Sequence, residues 1–272
     1  TLTWVEALDG GDAAKPAEVR DQLRLLAAPF AGDPVAGPTF GYRVRGLAWG
    51  DAHRALATEG WTKTRRTRTW SFDPARPDAA PTLVFDRSSE DRYADPGDPV
   101  MRPGPFGEPV LHFAPDGAIF LRGAGASPEG DRPFLDRFDL AAKRATRVWQ
   151  SAAPHFEEFV AFLDDAGTRA LTRREAPTEP PNFHVRDLAA GTSAPFTAFP
   201  NPYPQFADVR KEIIQYRRAD GVLLSGTLYL PPGWTPDRGP LPTLLWAYPQ
   251  EFKSADAAGQ LRDSPHRFTR VS

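Results

Sequence analysis

Serine, histidine and aspartate are the residues of this chain that could together perform acyl transfer, since it contains no cysteine. A nucleophilic serine on a strand-to-helix elbow is marked by Gly-x-Ser-x-Gly, and its acid and histidine partners follow it along the chain. That pattern occurs nowhere in the 272 residues. Ser225 lies inside the apolar segment 223–227, and His266, next to Ser264, comes too early to be the histidine. The sequence therefore predicts that a Ser-Asp-His triad is absent from it.

A basic run, Lys63-Thr64-Arg65-Arg66-Thr67-Arg68, is the second feature that could do chemistry. In a strand, alternation would place Lys63 and Arg65 on one face and Arg66 and Arg68 on the other. A guanidinium group can bind a carboxylate through two parallel hydrogen bonds. The alternative is a solvated outer strand that binds no ligand.

Two weaker patterns bear on cofactors. His155-Phe156-Glu157-Glu158 offers a histidine and a carboxylate two residues apart, but no second histidine follows at metal-ligand spacing. Residues 123–127 contain two glycines but lack the third glycine and the lysine of a phosphate-binding loop. We therefore expect neither a metal nor an organic cofactor.

Charge and composition limit the classes of partner. A formal net charge of -2 gives no basic field for nucleic acid or for an anionic membrane. No apolar run approaches the roughly eighteen residues of a membrane span, and no signal peptide is visible. Because the absence of cysteine suits a reducing compartment, we expect a cytoplasmic protein, with the periplasm as the alternative. The alanine, arginine, proline and glycine content suggests a bacterial source, and the sequence does not fix the oligomeric state.

The elements that must position any site form a repeat. An apolar or aromatic segment that breaks at an Asp/Gly turn occurs four times, and the turn aspartates recur every 42 to 65 residues. Such turns need residues that tolerate positive φ, which aspartate and glycine do. The four turn aspartates are Asp9, Asp51, Asp116 and Asp165.

A second marker has nearly the same period. Asp139-Leu140-Ala141-Ala142 and Asp187-Leu188-Ala189-Ala190 lie 48 residues apart, and Asp73 occupies the equivalent place one unit earlier. A period of this length with short strands is typical of β-propeller blades, each of them a four-stranded antiparallel sheet. We predict about four blades, with the second marker turning between the outer two strands of a blade. A β-sandwich is the alternative.

Three prolines within residues 199–205 mark a boundary, because proline does not fit inside a paired strand. We predict propeller blades over residues 1–205 and a second domain over residues 206–272. The fold class is therefore expected to be mainly β.

Within the second domain, residues 211–217 and 222–230 are predicted to form two strands around the turn Asp220-Gly221. A third, buried strand is predicted over residues 242–248, where an apolar run stops at the Tyr248-Pro249 corner.

This second segment resembles the beginning of the α/β-hydrolase catalytic domain in prolyl oligopeptidase family serine peptidases. The similarity is greatest to the glutamyl endopeptidase branch, at Trp246-Ala247-Tyr248-Pro249, Glu251-Phe252-Lys253-Ser254 and Asp256-Ala257-Ala258-Gly259-Gln260. The resemblance implies a partial propeller followed by the first strands of a hydrolase domain. It also implies peptide substrates or unfolded segments, cut after Glu or Asp, with the triad beyond Ser272 and no activity in this chain alone.

The resemblance implies roles for three residues. In the family, the tyrosine at the position of Tyr248 donates its hydroxyl to the oxyanion hole, where one donor typically contributes about 10²- to 10³-fold in rate. The alternative is a tyrosine that only packs its ring. Cleavage after Glu would require a cation for the substrate carboxylate, which Arg65 and Arg66 could supply. A different class of function stays open: a non-catalytic propeller that binds proteins.

Overall fold

The computed structural model describes residues 1–248 and 250–270. In this part of the chain almost all regular structure is β-strand, and the sheets are antiparallel. The expected mainly-β fold class is therefore confirmed.

The chain divides into two compact units. The first comprises Thr1–Ser89, Pro99–Leu121 and Arg137–Thr146. The second comprises Glu90–Asp98, Arg122–Asp136 and Arg147–Ser272. The boundary expected near residue 205 stays a prediction.

Four sheets of three or four strands follow one another along residues 1–205 of the described chain. The first contains β1 (Leu2–Ala7), β2 (Asp21–Leu26) and β3 (Val35–Phe40), in that order. The second contains β4 (Arg43–Trp49), β5 (Ala55–Trp61), β6 (Arg66–Phe72) and β7 (Thr82–Ser88), also in chain order.

The third sheet includes β8 (Asp98–Pro99), and the pair β9 (Met101–Pro103) and β10 (Pro109–Leu111) lies next along the chain but outside that sheet. The third sheet is completed by β11 (Ile119–Gly123), β12 (Phe134–Asp139) and β13 (Arg144–Gln150), in the order β13-β12-β11-β8. The fourth contains β14 (Phe156–Phe162), β15 (Arg169–Ala176), β16 (Glu179–Asp187) and β17 (Thr192–Pro195), in chain order.

The central strand β5 shows why the chain forms such sheets. Its residues alternate between two apolar clusters of the first unit: Ala55 and Ala57 pack with Leu23 and Phe72, whereas Leu56 packs with Leu111. Successive strand residues point to opposite faces, so a strand that is apolar at consecutive positions is buried on both sides. Small alanines on one face and leucine on the other let two packed layers share a single strand.

The second repeat marker forms the predicted turns. Asp139 Oδ1 accepts hydrogen bonds from the backbone N–H groups of Ala141 and Ala142, at 2.9 Å each. Asp187 Oδ1 accepts the same pair of bonds from Ala189 and Ala190, at 3.0 and 2.8 Å. Each turn joins the outer two strands of its sheet, β12 to β13 and β16 to β17. The expected position of this marker is confirmed.

The first marker is less uniform. Asp51 and Asp116 accept backbone hydrogen bonds inside their turns. In the fourth turn the carboxylate of Asp164, next to the predicted Asp165, binds the N–H groups of Thr168 and Arg169.

After residue 205 the chain forms the predicted hairpin of β18 (Arg210–Arg217) and β19 (Leu223–Leu230), which turns at Asp220-Gly221. One short helix, α1 (Ala255–Ala258), follows, and the Ser254 hydroxyl caps it by accepting a bond from the Ala257 N–H. A serine at this position satisfies an N–H that has no partner within the helix.

The buried strand expected over residues 242–248 is not formed: residues 241–248 have no regular structure. The side chains of Leu244, Leu245, Trp246 and Tyr248 are 84 to 93% exposed. An apolar run becomes a buried strand only when neighbouring strands satisfy its backbone groups, and no described residue does so here. The expected corner at Pro249 lies outside the described residues.

Candidate functional site

Tyr248 lies near the end of the exposed segment 241–248, and its ring is 87% exposed. No hydrogen bond to its hydroxyl is present among the described residues. The oxyanion role implied by the family resemblance therefore stays a prediction, since an oxyanion donor works only where it meets the reacting group.

The chain that follows Tyr248 is held in place by Glu90. This carboxylate, 9% exposed, accepts hydrogen bonds from the backbone N–H groups of Lys253, at 3.0 Å to each oxygen, and of Ser254, at 3.3 Å. Hydrogen bonds to an ionised carboxylate are about twice as strong as neutral ones. The start of α1 is thereby fixed by a residue more than 160 positions earlier in the chain.

The residues next to Glu90 bind the end of α1. Gln260 Nε2 donates to Asp91 at 2.7 Å, and Gln260 Oε1 accepts from the Arg92 N–H at 2.7 Å. The Arg92 guanidinium donates to the Leu261 carbonyl and forms an ion pair with the buried carboxylate of Asp131 at 2.9 Å. Together these contacts clamp residues 253–261 within the second unit.

Lys211 holds the chain beyond this clamp. Its ammonium group donates to the carbonyl oxygens of Ser264 and Arg267, at 3.1 and 3.2 Å, and lies 4.0 Å from Asp263. Burial, partly opposed by Asp263, lowers the pKa of Lys211. Ser264 Oγ accepts from the backbone N–H of His266 at 3.3 Å. This contact involves the backbone of His266 and not its ring.

The basic run is a turn and a strand start, not one continuous strand. Residues 62–65 form the turn between β5 and β6, and Arg65 has a left-handed φ of 55°. The expected alternation of Lys63 and Arg65 is therefore wrong, because the hairpin reverses at that point. Arg66 begins β6 and pairs with Asp86, which also binds Arg68. A substrate role for Arg65 or Arg66 stays a prediction.

A cavity of about 440 Å³ in the second unit has a basic lining that sequence reasoning missed. Arg122, Arg173 and Arg267 contribute to its wall, together with Phe134, Phe156 and Phe159. The three arginines lie at distant positions in the sequence and outside any motif, so no local pattern could have identified them.

A buried polar network crosses the fourth sheet. Glu157 accepts hydrogen bonds from the Thr172 hydroxyl at 2.5 Å and from Arg186 at 2.7 Å. Burial, reinforced by Arg174 and opposed by Glu157, lowers the pKa of His184, and Ser193 Oγ lies 3.3 Å from His184 Nδ1. Every member has a partner, so we interpret the network as structural.

The two residues considered as metal ligands, His155 and Glu157, have protein partners: His155 Nε2 lies 3.5 Å from Glu179, and Glu157 accepts from Arg186. Across residues 1–248 and 250–270, no three histidine or acidic side chains are grouped so that they could hold a metal ion. In the same residues there is no helix of the length and apolarity that crossing a membrane would take.

No protein-family model matches the chain. It is 43% identical over 283 aligned positions to a probable chloroplastic glutamyl endopeptidase of Oryza sativa subsp. japonica. It is 42% identical to the protein of the same name in Arabidopsis thaliana. Each alignment covers 98% of this chain and 30% of the relative.

Two solved structures are similar over much of the chain. Dipeptidyl peptidase 4 of Porphyromonas gingivalis aligns with a TM-score of 0.48 and 11% identity, over 79% of this chain and 35% of that one. Oligopeptidase B of Leishmania major aligns with a TM-score of 0.47 and 10% identity, over 77% and 28%. The sequence relatives confirm the resemblance carried by the motifs at residues 246–260. Over 98% of its length this chain is similar to probable glutamyl endopeptidases, and it spans about 30% of their length.

Proposed function

We propose that this chain is the propeller and first catalytic-domain segment of a serine-type peptidase of the prolyl oligopeptidase family. The observation that carries the proposal is the 43% identity to a glutamyl endopeptidase across 98% of the chain. The blade-like sheets and the hairpin that follows them agree with this organisation. The substrates would be peptides or unfolded segments. The propeller would admit these to the active site and would exclude folded proteins.

Cleavage after Glu or Asp is the second part of the proposal. It is supported by the name of the two plant relatives and by the need of an acidic side chain for a cationic partner. Arg65 and Arg66 remain candidates for that partner. The triad would be supplied by residues outside these 272, which is why we expect the chain alone to be inactive.

Hydrolysis of matched peptides tests both parts. The complete polypeptide containing these residues should cleave a fluorogenic peptide with Glu before the scissile bond, and replacing that Glu by Gln should lower kcat/KM. Reaction with a serine-directed phosphonate should abolish turnover. The 272-residue chain at the same concentration should cleave neither peptide.

Three results would oppose the proposal. Turnover by the 272-residue chain that the phosphonate blocks would show that a nucleophile is present within it. Equal kcat/KM for the Glu and Gln peptides would remove the acidic specificity. No turnover of any peptide by the complete polypeptide would favour a non-catalytic propeller that binds proteins.

A cytoplasmic location and a bacterial source also stay predictions. The two relatives are named chloroplastic and come from plants. Peptides are the partners that the proposed reaction requires, whereas the expectations about nucleic acid, membranes and cofactors stay expectations.

A further inference from the structure

The cavity of the second unit is lined by both basic and acidic side chains. Its volume of about 440 Å³ is within the range of ligand sites. Three arginines, Arg122, Arg173 and Arg267, line it together with two acidic residues, Asp98 and Glu158. The lining therefore contains one cation more than it contains anions.

Two of the guanidinium groups are fixed by protein carboxylates. Arg173 Nη1 donates to Glu158 at 2.7 Å, and Arg173 Nη2 lies 3.5 Å from the buried Glu175. Arg267 lies 3.8 Å from Glu158, 3.7 Å from Glu175 and 3.1 Å from Asp263. The pocket thus already holds one carboxylate, that of Glu158, between two arginines in a fixed arrangement.

Arg122 differs from the other two arginines. It lies at the end of β11, its side chain is exposed, and among the described residues no acid is within ion-pair distance of it. An arginine presents five N–H donors in a planar fork that matches a carboxylate. Arg122 can therefore donate to an incoming carboxylate without breaking an ion pair with any described residue.

Aromatic side chains form the apolar part of the wall. Phe134, Phe156 and Phe159 line the cavity and are buried against the sheet, and the Arg267 guanidinium lies 3.9 Å from the centre of the Phe156 ring. Rings held in this way offer a surface for the methylene groups of a bound side chain. A glutamate side chain has both a carboxylate and two methylene groups.

We propose that this pocket binds an acidic side chain of a peptide, with Arg122 as the specificity-determining residue. The proposal rests on the proposed function, because it assumes that the ligand is a peptide. It differs from the sequence-based prediction in placing the acidic specificity on Arg122 instead of Arg65 and Arg66.

Peptide binding to the 272-residue protein tests the pocket without any need for catalysis. Fluorescein-labelled hexapeptides that carry one Glu, or Gln at the same position, are titrated and followed by fluorescence anisotropy at low salt. We expect the Glu peptide to bind about tenfold more tightly, the size expected for one charge-assisted pair. Arg122→Ala should remove that preference, and Arg122→Glu should reverse it in favour of a Lys peptide.

The matched control is Arg102→Ala, another exposed arginine, which should leave the preference unchanged. Arg65→Ala and Arg66→Ala are measured in parallel. Equal binding of the Glu and Gln peptides by the wild type, or a preference that survives Arg122→Glu, would overturn the proposal. The proposal would also be overturned if the preference for the Glu peptide were lost only in the Arg65→Ala or Arg66→Ala variant.

The experiments distinguish a wrong assignment of the binding pocket from a wrong assignment of the peptidase function. If the complete polypeptide with Arg122→Glu still cleaves after Glu, the proposed peptidase function is retained and the proposed role of Arg122 is refuted. If the Glu peptide binds in an Arg122-dependent way but the complete polypeptide hydrolyses no peptide, the proposed peptidase function is refuted and the proposed binding pocket is retained.

Discussion

The Glu90 carboxylate accepts the backbone N–H of Lys253 with both oxygens, at 3.0 Å each. Glu90 follows the last strand of the second sheet, whereas Lys253 lies five residues after Tyr248, the predicted oxyanion donor. One side chain therefore ties the segment that resembles a catalytic domain to the loop between two of the preceding sheets. The contribution of Glu90 to the order of residues 253–261 can be measured by hydrogen exchange.

Glu90→Ala should loosen residues 253–261 without unfolding the protein. The N–H groups of Lys253 and Ser254 would lose a charged acceptor, and a hydrogen bond to a charged group contributes about 1.5–3 kcal/mol. We expect amide hydrogen exchange in peptides covering residues 253–261 to accelerate by about tenfold or more, because local opening becomes easier.

The matched control for this clamp is Glu129→Ala, since Glu129 is an exposed glutamate of the same unit. Its exchange profile should equal that of the wild type. Unchanged protection of residues 253–261 in Glu90→Ala would show that Gln260 and Arg92 suffice to hold the segment.

Asp9→Asn should remove an acid-sensitive part of the stability. Asp9 is buried and pairs with Arg43 at 2.6 Å and with Arg20 at 2.7 Å. The Arg43 hydrogen bond, opposed by burial and supported by the Gly11 N–H and Arg20, holds the pKa of Asp9 below its ordinary 3.8. Because the folded pKa is the lower one, this stabilisation is present above pH 3.8 and is lost as pH falls through the folded value.

Urea unfolding at a series of pH values checks the effect at Asp9. The wild type should have the higher midpoint at neutral pH, and the difference from Asp9→Asn should shrink as pH falls below about 4. Asp12→Asn is the control, because Asp12 is exposed and its carboxylate accepts the Ala14 N–H. A midpoint difference that does not depend on pH would contradict the ion-pair explanation.

Gly125→Ala should destabilise the second unit. Gly125 has a φ of +59°, and a Cβ at this position would overlap the carbonyl oxygen of Arg132. The backbone cannot yield easily, since the Arg132 N–H donates to the Gly125 carbonyl at 3.0 Å. A strained left-handed residue costs about 1–3 kcal/mol, which should appear as a lower thermal midpoint.

Gly226→Ala is the matched control for that substitution. Gly226 lies in β19 with no atom within 4 Å of a Cβ built there. Its thermal midpoint should equal or slightly exceed that of the wild type. Equal midpoints for the two variants would mean that the loop at Gly125 relaxes without cost.

Tyr248→Phe in the complete polypeptide should lower kcat by about 10²–10³-fold and leave KM nearly unchanged, because an oxyanion donor acts in the transition state. In the 272-residue protein the same change should leave the unfolding midpoint unaltered, since the ring is 87% exposed. Tyr216→Phe, at another exposed tyrosine, is the control. An unchanged kcat would show that Tyr248 is not an oxyanion donor and would favour the alternative, a tyrosine that only packs its ring.

Local chemistry made much of the fold predictable. Asp139 and Asp187 terminate strands through bonds to N–H groups two and three residues ahead. Such bonds need no distant partner, so the repeat and its outer turns could be derived from spacing. Asp220-Gly221 defined the hairpin of β18 and β19 for the same reason. The family resemblance at residues 246–260 likewise needed only contiguous residues.

The tertiary structure decided whatever depends on residues far apart in the chain. Residues 242–248 have the composition of a buried strand, but a strand forms only where neighbouring strands accept its backbone groups. The folding of distant parts of the chain brings Glu90 to Lys253 and places Arg122 and Arg267 around one cavity, and no local sequence pattern encodes this proximity. The sequence by itself determined the kind of protein and its strand-turn units. Only the tertiary structure placed a clamp after Tyr248 and an unpaired guanidinium, that of Arg122, in a cavity of the described chain.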